Sequence, residues 1–285
     1  MNNEKFIFDT VKEAVEDIKN GKMVVVVDDE DRENEGDLIM AAEKITPESV
    51  NFMVKEGRGM LCAPITQERA KQLDLELMVD KNTALHQTPF TITVDYKFGT
   101  TTGISAHDRA MTIKALTDEN VTESDFARPG HIFPLIAKNG GVLRRAGHTE
   151  AAVDLSRLAG LTPAGVLCEI MDSDGSMMRV PQLKEFAAKH DLKLITIADL
   201  IEYRRIREKL VQPKAVVDLP SEYGVFKLHL YENNLDTTDN PLAFVKGDIS
   251  TSEPVLVRVH SECITGDLLN QKDVTAEINY QLLLK

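Results

Sequence analysis

The stretch that most constrains this chain is Met23–Glu43, where four consecutive valines, Val24–Val27, lead directly into acid. A short β-branched run of this kind predicts a strand buried on both faces, since it is too short for a core helix. Asp28, Asp29, Glu30, Asp31, Glu33, Glu35 and Asp37 then follow, interrupted only by Arg32, Asn34 and Gly36, before apolar residues resume at Leu38. Like charges crowded between two apolar segments repel one another, and nothing about folding calls for that. The run reads either as a solvated acidic turn or as a site where a hard divalent cation relieves the repulsion, because Mg²⁺ prefers oxygen ligands. Arg32 supplies the opposite sign for an anionic substrate.

At 285 residues, with 42% hydrophobic and 28% charged residues, the chain is long enough for one large domain or two unequal ones with a sizeable core. No apolar run approaches the ~20 residues that cross a bilayer, so no membrane partner is expected. The N-terminal MNNEKFIFDTVKEAVEDI has neither an apolar signal core nor the Arg-rich character of a transit peptide, which predicts a cytoplasmic protein. Cys62, Cys168 and Cys263 are far apart and are expected to be reduced thiols rather than a disulfide framework or a zinc knuckle. A net charge of -13 argues against nucleic acid as a partner, because such binding rests on surplus Lys and Arg. An anionic small substrate would therefore need a locally positive pocket.

Along the chain, the spacing of Phe8, Val11, Ala14, Val15 and Ile18 predicts a helix ended by Gly21. Thr46-Pro47-Glu48 opens a second helix and Thr66 a short third, with a strand over Met60–Ile65 between them. Phe90–Val94 alternates like a strand. Gly99–Gly103 feeds a helix capped by Ser105 over Ala106–Leu116, and this glycine-bounded, hydroxyl-rich loop reads equally as an anion site or as a well-capped helix start. Ala127–Leu135 places His131 between two prolines and is expected to be irregular chain or a rigid edge segment; a lone histidine there is more often structural than catalytic. His148 falls at the N-terminus of a helix over Thr149–Gly160, beside Arg144 and Arg145, an arrangement suited to a phosphate that leaves His148 able to ligate a metal. Glu169 interrupts the apolar strand Val166–Met171, so it either pairs structurally or is tuned for acid–base work. Helix Pro181–His190, strand Leu194–Ile197 and helix Ile197–Leu210 follow, the last with a basic end that complements the helix dipole. Gln212-Pro213 marks the domain boundary, dividing 1–212 from 213–285. Beyond it Ala215–Leu219, Gly224–Tyr231, Leu242–Lys246 and Val255–Val259 read as short strands of a small β-rich segment.

Taken in order, DDEDRENEGD after the valine strand, TTTGISAHDR, RPGHIFPL, RRAGHTEA and CEIMDSDG resemble the 3,4-dihydroxy-2-butanone-4-phosphate synthases of riboflavin biosynthesis, over Phe8–Leu210. The resemblance implies an α/β (α+β) fold with a mixed β-sheet flanked by helices, and a homodimer with sites at the subunit interface. The implied reaction converts D-ribulose 5-phosphate to 3,4-dihydroxy-2-butanone 4-phosphate and formate. It implies two Mg²⁺ (or Mn²⁺) ions per site, with Glu33 and His148 as protein ligands, and no organic cofactor. Arg32, Glu33, Asp37 and Glu169 would contact substrate, and Arg145, Ala146, Gly147, His148 and Thr149 would hold its phosphate end. His131 and Glu169 match the family's acid–base residues.

Tyr223–Asp267 is similar to the opening of GTP cyclohydrolase II, a zinc enzyme. Cys263 is present, but Val274 and Ala276 stand where a Cys-x-Cys pair is needed, and one thiolate cannot build a zinc site. The segment 213–285 is therefore expected to hold no zinc and to lack cyclohydrolase activity. Two other readings remain open: a non-catalytic scaffold of riboflavin enzymes, or another Mg²⁺-dependent sugar-phosphate isomerase or aldolase.

Overall fold

The computed structural model describes residues 8–235, 240–250 and 254–259. Contacts divide the chain into two units, one ending at Lys209 and the next starting at Leu210. Gln212-Pro213 thus lies a few residues inside the second unit, within its first strand.

The first unit holds, in chain order, α1 (Val11–Lys19), β1 (Val24–Val27), β2 (Gly36–Ala41), α2 (Pro47–Phe52), β3 (Cys62–Ile65), α3 (Gln67–Gln72), β4 (Val94–Tyr96), α4 (Ala106–Ala115), β5 (Phe126–Ile136), α5 (His148–Leu158), β6 (Gly165–Glu169), α6 (Val180–His190), β7 (Lys193–Thr196) and α7 (Ile197–Arg207). The helix starts follow the predicted caps: Thr46, Thr66 and Ser105 each accept a backbone N–H with their side-chain oxygen. The strands form one seven-stranded sheet in the order β4-β5-β3-β6-β2-β1-β7, with parallel β1–β7 and β3–β5 pairs and the rest antiparallel. All four valines of β1 are buried, as their β-branched run requires.

Glycines identify the two faces. A Cβ on Gly36 would fall 2.5 Å from Leu183 of α6, and one on Gly57 would fall 3.1 Å from Cys168 Sγ and 3.2 Å from Leu38. A Cβ on Gly165 would fall 2.6 Å from Ala152 of α5. Side chains alternate along a strand, so Leu38 and Cys168 face α6 and the chain after α2, whereas Asp37, Leu167 and Glu169 face α5. Helices α1 and α7 pack with α5, and α4 packs with α2, completing a layer on each side of the mixed sheet. Arg204, in the basic end of α7, is buried and pairs with Asp154 at 2.6 Å and Glu208 at 2.6 Å, so it pins α7 to α5 as well as complementing a dipole.

Three expectations change. Asp37 belongs to β2 rather than to the acidic loop, and it is buried. The predicted strand at Phe90–Val94 begins only at Val94. Ala127–Leu135 is part of an eleven-residue strand that is not at the sheet edge, because β4 pairs outside it. Pro129 is tolerated because the β4–β5 register jumps from Val94↔Ile132 to Asp95↔Ala127, leaving residues 128–131 as a bulge outside that ladder, whereas Pro134 stays opposite Ala63 of β3 and uses its carbonyl to accept the Thr91 N–H at 3.0 Å.

In the second unit, β8 (Val211–Ser221), β9 (Gly224–Asn233) and β10 (Leu242–Val245) form an antiparallel sheet whose apolar residues Val216, Val217, Val225, Leu242 and Phe244 are exposed. Residues 254–259 carry no strand, in contrast to the expectation for Val255–Val259. Cys263, Val274 and Ala276 lie outside the described residues.

Candidate active site

The acidic loop is organised by its first member. The Asp28 carboxylate is fully buried and accepts from Arg32 Nη1 at 2.7 Å, Glu33 N–H at 3.2 Å and Glu35 N–H at 2.9 Å. Arg179, at the start of α6, holds the far side of the loop by donating to the carbonyls of Glu33 (2.7 Å) and Asn34. These bonds fix Glu33, whose carboxylate meets Arg32 Nη2 at 3.0 Å.

His148, the first residue of α5, projects over β1 and β2. Its Nε2 bonds the carbonyl of Val26 at 3.1 Å, which leaves Nδ1 as the nitrogen facing the acids. That nitrogen lies 3.8 Å from Glu33 Oε2 and 3.8 Å from Asp37 Oδ2. Ligand atoms of Asp28, Glu33 and His148 all lie within 4.8 Å of one another, the geometry of a cation site. Asp28 already accepts three hydrogen bonds, which leaves Glu33 and His148 the less committed of the three. The electrostatics agree with a site built for positive charge. The facing His148 imidazolium holds Glu33 down at about 2, against its partial burial and with help from Arg32. Burial, reinforced by Glu169, Glu33 and Glu35 and opposed by His148, pushes Asp37 up to about 7. Burial disfavours the His148 imidazolium, yet Asp37, Glu33 and Asp28 outweigh it and lift the group to about 9.

Asp37 pairs with Glu169 across β2 and β6. Glu169 is half-buried and accepts the Met60 N–H at 2.7 Å, so its partner is a backbone donor and not a cation. Arg145 is tied inward, donating to buried Glu150 at 2.7 Å and to the His86 carbonyl at 3.2 Å. Ala146 is exposed, whereas Gly147 and Thr149 are buried at the start of α5. The Gly99–Gly103 loop resolves toward the well-capped helix: Asp108 takes up the Thr101 N–H at 3.1 Å and the Gly103 N–H at 3.0 Å, amides an anion would need.

His131 stands apart. Its Nδ1 lies 2.6 Å from Asp95 Oδ2, and among the described residues it makes no bond to the His148 group. Asp37, Glu169 and Met60 sit on β2, β6 and on the chain entering β3, and His131 lies just before the Phe133 that pairs Cys62 of β3. In the sheet order β5-β3-β6-β2, His131 of β5 is three strands away from Asp37 of β2. Sequence reasoning did not single out Asp28 as the loop's organiser, Arg179, His86 (3.9 Å from Glu33) or Asp95. Of these, only Asp28 carried a local signal, its place directly after the buried strand.

A crowd of carboxylates around one free imidazole nitrogen, set at the end of a buried strand, places the molecule in a class: an α/β protein with a candidate divalent-cation site. The chain belongs to the 3,4-dihydroxy-2-butanone 4-phosphate synthase family, which matches residues 12–203. The GTP cyclohydrolase II family matches residues 212–283. The riboflavin biosynthesis protein RibBA of Aquifex aeolicus is 61% identical over 267 residues, covering 93% of this chain and 66% of that protein. RibBA of Bacillus mycoides is 59% identical over 262 residues, again covering 66% of its length, so the chain spans about 66% of these curated relatives. Among solved structures, RibBX, a two-domain 3,4-dihydroxy-2-butanone 4-phosphate synthase from A. baumannii, superposes with a TM-score of 0.82 at 47% identity, over 95% of this chain and 80% of that one. A 3,4-dihydroxy-2-butanone 4-phosphate synthase in complex with two magnesium ions superposes with a TM-score of 0.69 at 44% identity, over 70% of this chain and 98% of that one. No helix among the described residues is long and apolar enough to cross a membrane.

Proposed function

We propose that this chain converts D-ribulose 5-phosphate to L-3,4-dihydroxy-2-butanone 4-phosphate and formate in riboflavin biosynthesis, with two Mg²⁺ or Mn²⁺ ions held by Glu33 and His148. The observation that carries this reading is the meeting of His148 Nδ1 with Glu33 and Asp37, each at 3.8 Å, while Glu169 stands on the adjoining strand. A divalent cation fits there because its charge would offset the burial that raises Asp37 and the repulsion from Glu169, Glu33 and Glu35 that adds to it. When bound, the ions would polarise the substrate's carbonyl and hydroxyl oxygens and stabilise the negative charge that develops on them.

The chain's own groups supply the rest. Arg32 and Asp37 orient the sugar hydroxyls, and Arg145 through Thr149 receive the phosphate, where the N-terminus of α5 favours an anion. Glu169, held by a backbone N–H, and His131 move protons to and from the carbon skeleton. The separation of His131 from Asp37 by three strands supports a homodimer whose sites are shared between copies. The reading needs no organic cofactor, nucleic acid or membrane, and it places the protein in the cytoplasm. Formate release from ribulose 5-phosphate by metal-stripped protein, with and without Mg²⁺, tests it: metal-dependent formate is expected, and none from a folded protein would favour the scaffold reading. For residues 213–285 we propose no cyclohydrolase activity, which conversion of GTP to a pyrimidine product would overturn.

A further inference from the structure

Asp95 is not among the residues assigned a role above, yet the fold around the β4–β5 bulge converges on it. Its two carboxylate oxygens divide their work: Oδ1 accepts the His131 backbone N–H at 2.8 Å, and Oδ2 meets His131 Nδ1 at 2.6 Å. One carboxylate therefore fixes both the backbone and the ring of His131. The bulge is clamped from the same strand, since the Gly130 N–H donates to Thr93 Oγ1 at 3.0 Å. Only glycine fits beside His131, because a Cβ on Gly130 would lie 2.0 Å from the Val94 carbonyl carbon. A second glycine closes the other side: a Cβ on Gly103 would lie 2.0 Å from Asp95 Oδ2 and 2.6 Å from His131 Nδ1. Gly103 is held by Asp108, which gathers the Thr101 hydroxyl at 2.7 Å and the Gly103 N–H at 3.0 Å. Residues 93–95, the 101–103 loop and, through that loop, Asp108 of α4 thus close around one imidazole, although its side chain is 42% exposed. A merely structural surface histidine needs no such cradle.

We infer that Asp95 is the positioning residue of His131: it fixes the tautomer with the proton on Nδ1 and so presents Nε2 as the atom that takes and returns a proton. The inference rests on the proposed acid–base role of His131. In the forward step the substrate's C–H proton passes to Nε2 and its electron pair moves toward the adjoining carbonyl. The ring then carries both protons beside the Asp95 carboxylate, and Nε2 later gives its proton back. Asp95 only orients and balances the charge.

The test combines turnover with ¹⁵N NMR of the metal-loaded, histidine-labelled full chain. Wild-type His131 should show the Nδ1–H tautomer; the Nε2–H tautomer would overturn the inference without any variant. Asp95→Asn removes the charge and lets an amide donate to the ring, so the tautomer should switch and kcat should fall about 100-fold or more while KM stays within about twofold. Asp95→Glu should recover part of that loss. A fall confined to KM, or wild-type kcat in Asp95→Asn, would overturn the inference, with folding checked by thermal unfolding. His131→Gln separates the two readings: if it keeps full turnover, the acid–base role itself fails, whereas an inactive His131→Gln beside a fully active Asp95→Asn refutes only the positioning role.

Discussion

Two histidines beside one sheet are prepared in opposite ways. His148 is buried against β1 and β2 with several carboxylates around one nitrogen, whereas His131 is exposed on β5 with one carboxylate bound to the ring. Burial and multiple acids favour a bound cation at the first. Exposure and one short hydrogen bond favour proton traffic at the second. The difference shows that the identity of a residue says little until its neighbours are counted, because the same imidazole becomes a ligand or an acid–base group according to what faces its free nitrogen.

The largest effect should come from His148→Ala, which removes a ligand and leaves Asp37 and Glu33 facing each other. Formate production should fall to background and Mg²⁺ affinity at least about 100-fold by calorimetry; a variant with full activity would erase the contrast. Glu169→Gln keeps the Met60 N–H as a partner but loses the titrating group. Substrate binding should persist while turnover drops about 100- to 10,000-fold, and unchanged turnover would reduce Glu169 to a structural carboxylate.

Backbone packing distinguishes the two ends next. Gly130→Ala would drive a Cβ into the Val94 backbone, which has nowhere to go, and should cost about 2–4 kcal/mol in chemical denaturation. Gly36→Ala, near the His148 end, meets only the tip of Leu183 and should cost about 1 kcal/mol. Equal costs would mean that the bulge is more compliant than its contacts indicate.

The smallest effect is a pH slope. His148 is lifted to about 9 in the metal-free chain, so below that pH a proton must leave before Nδ1 can bind a cation. Mg²⁺ affinity should rise with pH, by up to about tenfold per unit for one proton, and level off above pH 9, with proton release visible as buffer-dependent heat. The group's pKa is raised on folding from 6.5, so its contribution to stability is full below that value and is lost as pH rises through about 9. A flat affinity profile would show that the His148 imidazole is already neutral and that its acidic surroundings do not set the contrast with His131.

Much of the scaffold was legible in the sequence because local physics sets it. Four β-branched residues in a row made β1, and the threonine and serine caps started α2, α3 and α4 where they were read. The cation-ready pairing of the acidic run with His148 was legible only through the ordered motifs, since the two lie more than a hundred residues apart. Asp37 was misplaced in the loop because a charge count cannot see that pairing with β1 and β6 carries the strand back through Gly36. The two prolines argued against an internal strand at His131, and that rule failed because a bulge takes Pro129 out of the β4–β5 ladder while Pro134 remains opposite Ala63 of β3.

What the sequence alone determined is the list of elements and the chemistry available: buried valines, capped helices, a surplus of carboxylate and a few histidines. Those follow from propensities and charges that act within a few residues. Tertiary structure alone decided which carboxylate serves which histidine. Asp28 turned inward to hold its own loop, Glu33 and Asp37 faced His148, and Asp95 reached His131 across 36 residues of sequence. The reason is that hydrogen bonds and Coulomb forces act over a few ångströms of space, and only strand order and register determine which distant residues come that close.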